Sequence, residues 1–236
     1  SIKELKKITG VSNKMIWLPC PTTLIKESIR QNLEIGINNK IQNKLKELKS
    51  DFRKNKELRI AINLSCDRMD QRNIDDSCFK KLIKSIQSLK SSGHKIIYLA
   101  HKDLDLYAAK TIGMNLFDEI TNISSYDIDD SLETYLSYNL VLGGRGHSLM
   151  IPFGLGIPII SLTSHDKQKF FMEDTNLKEQ SLELNELNST ELCNKINNFV
   201  NERESQIKFI NQYQKKGIKS WSEFVAIIKN KITIKS

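Results

Sequence analysis

The sequence predicts an α/β fold in which a doubly wound parallel sheet is followed by a helical C-terminal tail. Short runs of branched apolar residues alternate with amphipathic stretches of helical period, the pattern of strands joined through covering helices. The runs are bounded by Gly, Pro or polar residues, and beyond Asn188 helical period continues to the end of the chain with no further strand-like run.

The elements follow in order. Met15-Ile16-Trp17-Leu18, ending at Pro21, reads as a first short strand. The basic stretch from Lys40 to Lys56 interleaves Ile and Leu with lysines, as on a solvated helix face or in a linker. Leu58 to Leu64 (LRIAINL) is the next strand. Cys78 to Leu89 then places Phe79, Leu82, Ile83, Ile86 and Leu89 on one helical face, with Gly93 as its stop. Lys95 to Ala100 (KIIYLA) is a strand, Leu104 to Ile112 a helix ending at Gly113, and Asp129 or Asp130 caps a helix through Leu132, Tyr135 and Leu136. Leu140-Val141-Leu142 and Ile157 to Leu162 (IPIISL) complete the strands. Ser189 or Thr190 caps the final helical region, which holds Ile207, Ile210, Trp221, Phe224 and Ile228. The expected organisation is a partial N-terminal unit and basic linker (1–57), a nucleus of sheet and helices (58–199) and a helical tail (200–236).

Composition narrows the function. The 36 Lys and Arg residues against 28 Asp and Glu give a net charge of +8, which suits an anionic partner. Nucleic acid is not expected, because no recognition module accompanies the charge. Cys20, Cys66, Cys78 and Cys193 lie far apart with no CxxC and no His at zinc-finger spacing, so no metal and no disulfide is expected and the cysteines read as reduced packing residues. The longest apolar stretch, Met150 to Leu162, is broken by Pro152, Gly154, Gly156 and Pro158 and is shorter than the roughly 20 residues that span a bilayer. No transmembrane segment is expected. The opening residues SIKELKKITG contain no apolar signal core, so a cytoplasmic location is expected, and a start at Ser rather than Met fits a piece of a longer chain.

In an open α/β sheet, ligands bind beyond the carboxyl ends of the strands. The loop Leu140 to Ser148 (LVLGGRGHS) leads from a buried strand into a helix. Its glycines permit close backbone approach, Gly143 and Gly144 foremost, and its N–H groups face any bound anion, with Ser148 at the helix start. Arg145 offers a planar fork for carboxylate or phosphate, and His147 is a residue type that serves as proton donor or acceptor. The loop is neither a GxGxxG fingerprint nor a P-loop, and a Gly-rich packing turn is the competing reading. Lys167 lies past the next strand, within reach of a phosphate or in the capped start of a helix. His101 and Arg68 follow two other strand ends in the same layer. No GxSxG, HExxH or inward glutamate pair is present, which leaves anion-handling transfer chemistry without a cofactor.

The segments LAHKDLDLYAAKTIG and ETYLSYNLVLGGRGHSLMIPFGLGIPIISLTSHDKQKFFMEDTNL resemble the polysaccharide pyruvyl transferases, with Arg145, His147, the GIPII run, Lys167, Phe170 and Phe171 at the family's motif positions. The resemblance covers about Leu58 to Leu177. It implies a Rossmann-like half of a GT-B-like fold and transfer of a pyruvyl group from phosphoenolpyruvate to sugar hydroxyls of a glycan, with release of phosphate. Arg145 would hold the donor, and His147 would contact it and move a proton. Gly143 and Gly144 would supply backbone donors, and Ser148, Lys167, Arg68 and His101 would complete the donor site. A further N-terminal domain would hold the acceptor. The family often has an Arg at the end of the strand matching LRIAINL; here that position reads Asn63-Leu64-Ser65-Cys66, with Arg68 nearest. The alternatives are a GT-B-like glycosyltransferase using a nucleotide sugar and a catalytically incomplete anion-binding domain.

Overall fold

The structure, a computed structural model, describes residues 17–31, 41–45, 57–67 and 75–233. Six strands form one parallel sheet: β1 (Arg59–Asn63), β2 (Lys95–Ala100), β3 (Glu119–Asn122), β4 (Leu140–Gly143), β5 (Ile159–Thr163) and β6 (Ser181–Glu183). Their order is β3-β2-β1-β4-β5-β6. The winding therefore reverses between β1 and β4, the doubly wound arrangement that the alternation of runs predicts.

The helices are α1 (Ile25–Gln31), α2 (Asp76–Ser91), α3 (Leu106–Ile112), α4 (Ile128–Leu136), α5 (Gly146–Leu155), α6 (Asp166–Asp174) and α7 (Ser189–Thr233), with a short helical stretch at 41–45 between the first two. Successive strand residues point to opposite faces, so the four central strands feed two cores. Ile60, Ile62, Ile96, Tyr98, Leu140 and Leu142 pack with α2, α3 and Leu192, Ile196 and Phe199 of α7. Ala61, Ile97, Leu99, Val141 and Ile159 pack with α4, α5, α6 and Ile210 of α7. Because both faces are covered, the central strands read as continuous apolar runs rather than as alternation. α7 contributes to both cores in one unbroken helix, which crosses the expected division at 199/200.

Two strands escaped the sequence reading. β3 and β6 are the sheet edges, four and three residues long with one buried residue each, too short and too exposed to carry a run. Of the expected strand at Met15–Leu18, Met15 and Ile16 lie outside the described residues, and Trp17 and Leu18 are not strand but irregular chain leading to the 3₁₀ turn Pro21–Leu24. Pro19 and Pro21 lack the N–H groups a ladder needs. This segment instead seats on the helices, with Trp17 edge-on to Tyr213 and the Trp221 indole donating to the Pro19 carbonyl at 3.0 Å.

The capping residues also differ from expectation. Asp127, not Asp129 or Asp130, caps α4 by accepting from the Asp130 amide, and Asn188 rather than Ser189 or Thr190 accepts from the amides of Thr190 and Glu191. An N-cap must stand outside the first turn for its side chain to reach back to it, one to three residues earlier than the apolar pattern suggests. β5 begins at Ile159 because Gly156 closes α5 in the left-handed region (φ 85°) and Pro158 has no amide to donate. Most of 40–56 lies outside the described residues.

Candidate active site

The strand ends at the reversal point define the site. Asn63 and Gly143 are register partners at the carboxyl ends of β1 and β4, and the loops that leave β1, β2 and β4 converge there. Arg145, in the loop after β4, binds Asp105 of the loop after β2: its Nε lies 2.9 Å from Oδ2 and its Nη2 2.5 Å from Oδ1. Asp67, from the loop after β1, stands 3.1 Å from the same Nη2. Three loops from three strands thus meet on one guanidinium.

Asp105 is fully buried. Its Oδ2 accepts from the amides of His101 and Lys102, and its own carbonyl accepts from the Tyr98 hydroxyl at 2.6 Å. A buried carboxylate is tolerated only when its charge and lone pairs are matched, and Arg145 with two amides does this. Burial alone would lower the Arg145 guanidinium; hydrogen bonding and charge from Asp105, joined by Asp67, outweigh it and hold the group above its ordinary value.

His101 lies beside this cluster, with its Nε2 2.5 Å from the Tyr135 hydroxyl of α4. Burial drives its pKa down to about 4, with the charge of Arg145 and His147 adding to the effect and Asp105 opposing it. It is therefore neutral at pH 7 and fixed by a buried tyrosine. Burial pushes the Cys66 thiol up to about 11, which leaves it a packing residue rather than a nucleophile. Cys66 and Cys78 are buried, Cys193 is half-buried and Cys20 exposed, all as free thiols.

The expected donor residues separate on inspection. Arg145, His147 and His101 come together: His147 is exposed on the first turn of α5 and contributes to the field at His101. The Gly143–Gly144 turn is a packing feature. A Cβ on Gly143 would fall 2.6 Å from Leu149 Cδ2, and one on Gly144 would fall 2.7 Å from the Asn63 carbonyl oxygen, to which the Gly144 amide already donates. Close packing of strand and helix by itself requires glycine at both. Ser148 is likewise committed: buried, its Oγ accepts from the Arg145 amide and donates to the Arg145 carbonyl, closing the first turn of α5. Gly146 is different, because a Cβ there meets nothing within 4 Å.

Lys167 is exposed at the start of α6, where His165 Nδ1 accepts its amide, so His165-Asp166-Lys167 is the capped helix start. The neighbouring Gln168 turns inward, its Nε2 3.4 Å from the Gly143 carbonyl. Arg68 lies outside the described residues. Asp105 and Asp67 were not singled out from the sequence, and Tyr135 was read there only as a helix residue. The one available signal was Asp105 four residues after His101, inside the segment that carries the family resemblance.

Fold and site define a Rossmann-like α/β domain with an arginine paired to two carboxylates at its topological switch point. The family model of the polysaccharide pyruvyl transferases matches residues 1–166, and the chain belongs to that family. The matched span contains Arg145 and His147 and stops one residue before Lys167. No curated protein matches the chain. Among solved structures it is similar to a Listeria monocytogenes protein assigned as a UDP-N-acetylglucosamine 2-epimerase (14% identity, TM-score 0.49, 80% of this chain and 47% of that one). It is also similar to WaaG, a glycosyltransferase involved in lipopolysaccharide biosynthesis (11% identity, TM-score 0.46, 92% of this chain and 55% of that one). The chain spans about half the length of both. Among the described residues no helix is long and apolar enough to cross a membrane.

Proposed function

We propose that the chain is the donor-binding half of a transferase that moves a pyruvyl group from phosphoenolpyruvate to a glycan, the acceptor being held by a further N-terminal domain. Family membership supports the reaction class. The observation that carries the assignment to this site is the placement of Arg145 at the N-cap and His147 on the first turn of α5, beyond the carboxyl ends of β1 and β4. First-turn amides have no carbonyl four residues back to bind, and the helix N-terminus favours negative charge. A donor with both carboxylate and phosphate suits such a place.

In the reaction, two sugar hydroxyls add to the enol carbon that bears the phosphate, the C–O bond to phosphate breaks, and a ketal forms. One hydroxyl proton ends on the methylene carbon, which becomes methyl; the other leaves with inorganic phosphate. Arg145 orients the donor's anionic end and offsets its charge, and exposed His147 carries the proton to the methylene carbon. His101, held neutral by burial, lines the cluster without adding charge.

Thermal-shift titration with phosphoenolpyruvate, UDP and UDP-sugars tests this reading, since a ligand of the native state raises the melting temperature by mass action. Arg145→Ala orphans the buried Asp105 and so confounds folding with binding; His147→Ala, at an exposed position, does not. The expected result is stabilisation of the wild type by phosphoenolpyruvate that shrinks in His147→Ala. Stabilisation by UDP-sugars alone would replace it with glycosyl transfer, and no response to either ligand would favour an incomplete domain.

A further inference from the structure

We propose that the two carboxylates on Arg145 act in opposite directions on a bound anion: Asp105 is a positioning residue that holds the guanidinium ready, and Asp67 occupies the place an incoming anion takes. The proposal deepens the donor-site reading above and rests on it for the nature of the anion.

A guanidinium presents two forks, Nε with Nη2 and Nη1 with Nη2. Asp105 takes the first through both of its oxygens. It cannot leave, because its side chain is fully buried and its Oδ2 is tied to the amides of His101 and Lys102. The second fork is where a carboxylate or phosphate from outside must bind. Asp67 stands there, 3.1 Å from Nη2, with 35% of its side chain exposed. Its Oδ1 also accepts from the Ser65 hydroxyl, a second partner it keeps when Arg145 is taken by another anion. Ion pairs that water reaches exchange at little cost, whereas a buried, fully bonded pair is costly to break. The same residue thus has one permanent and one replaceable counter-ion.

Substitution of either acid by its amide makes the site one charge more positive, so simple electrostatics demands tighter anion binding in both variants. The proposal demands opposite signs. Inorganic phosphate and phosphoenolpyruvate are titrated calorimetrically into wild type, Asp67→Asn and Asp105→Asn, with thermal melting as the check on folding. Asp67→Asn is expected to bind about threefold tighter, the scale of an exposed ion pair. Asp105→Asn is expected to bind about tenfold weaker despite its added positive charge, as when one partner of a coupled pair is removed. Unchanged or weaker binding by Asp67→Asn overturns the proposal, and so does tighter binding by a folded Asp105→Asn. If Asp105→Asn does not fold, Asp105→Glu takes its place: it keeps the charge but displaces the carboxylate from the fork, so weaker binding than wild type is expected and unchanged or tighter binding overturns the proposal. Phosphate binding that follows the expected pattern with no preference for phosphoenolpyruvate leaves the proposal standing and removes the pyruvyl-donor reading. Phosphoenolpyruvate binding indifferent to Asp67 does the reverse.

Discussion

Gly154 of α5 packs directly on the carbonyl of Thr22: a Cβ built there would lie 1.9 Å from that oxygen. The contact joins a helix that starts at the candidate site to the segment that precedes the sheet. Gln214 of α7 secures the same junction, its buried Nε2 lying within 3.2 Å of the carbonyls of Thr23, Phe153 and Gly154. Lys26 of α1 adds a bond to Asn211 at 2.7 Å. The first turn of α5 is thus held from behind by an N-terminal segment and a C-terminal helix nearly two hundred residues apart.

This junction makes Gly154→Ala a sharp test. Backbone has to move to admit the methyl, so the variant is expected to lose about 3 kcal/mol, the upper range for overpacking. Gly146→Ala in the same helix meets open space and is expected to be neutral or slightly stabilising. Urea unfolding of the two variants beside wild type measures the difference, and similar midpoints for both would contradict the packing.

Neutral His101 gives the fold a pH dependence of definite sign. Its native pKa of about 4 lies below the usual 6.5, so above pH 6.5 the ring is neutral in both states and contributes nothing to the slope. Between 6.5 and 4 the unfolded chain takes up a proton that the folded chain refuses, and stability falls as the pH falls, by up to about 3 kcal/mol. His94, lowered by burial, acts in the same direction. Urea midpoints at pH 7 and pH 4.5 should therefore separate in wild type and converge in part in His101→Gln. Equal separation in both would mean that the ring titrates normally in the fold.

The cap of α4 is a smaller, local test. Asp127→Ala removes the acceptor of the Asp130 amide and is expected to cost about 1 kcal/mol, while Asp129→Ala, which removes no cap, leaves the melting temperature nearly unchanged. Reversal of that order would place the helix start two residues later.

The four central strands, the helices between them and the loop carrying Arg145 and His147 were legible from local pattern alone. Their residues are buried on both faces or repeat at helical period, and both signals are properties of neighbours in sequence. β3 and β6 were not, because an edge strand of three or four residues owes its existence to a ladder with the strand beside it, and Ile120 and Leu182 carry no pattern of their own.

At the site the division is similar. Sequence chemistry determined that an arginine and a histidine stand at a strand-to-helix turn in a basic chain of this family. Only the tertiary structure decided that Gly143, Gly144 and Ser148 serve packing and capping, that His101 is neutral, and that Arg145 is shared by Asp105 and Asp67. The outcomes at Gly144, His101 and Arg145 depend on burial and on partners far away in sequence, and neither the loss of water nor the approach of a distant charge leaves a mark on the local order of residues.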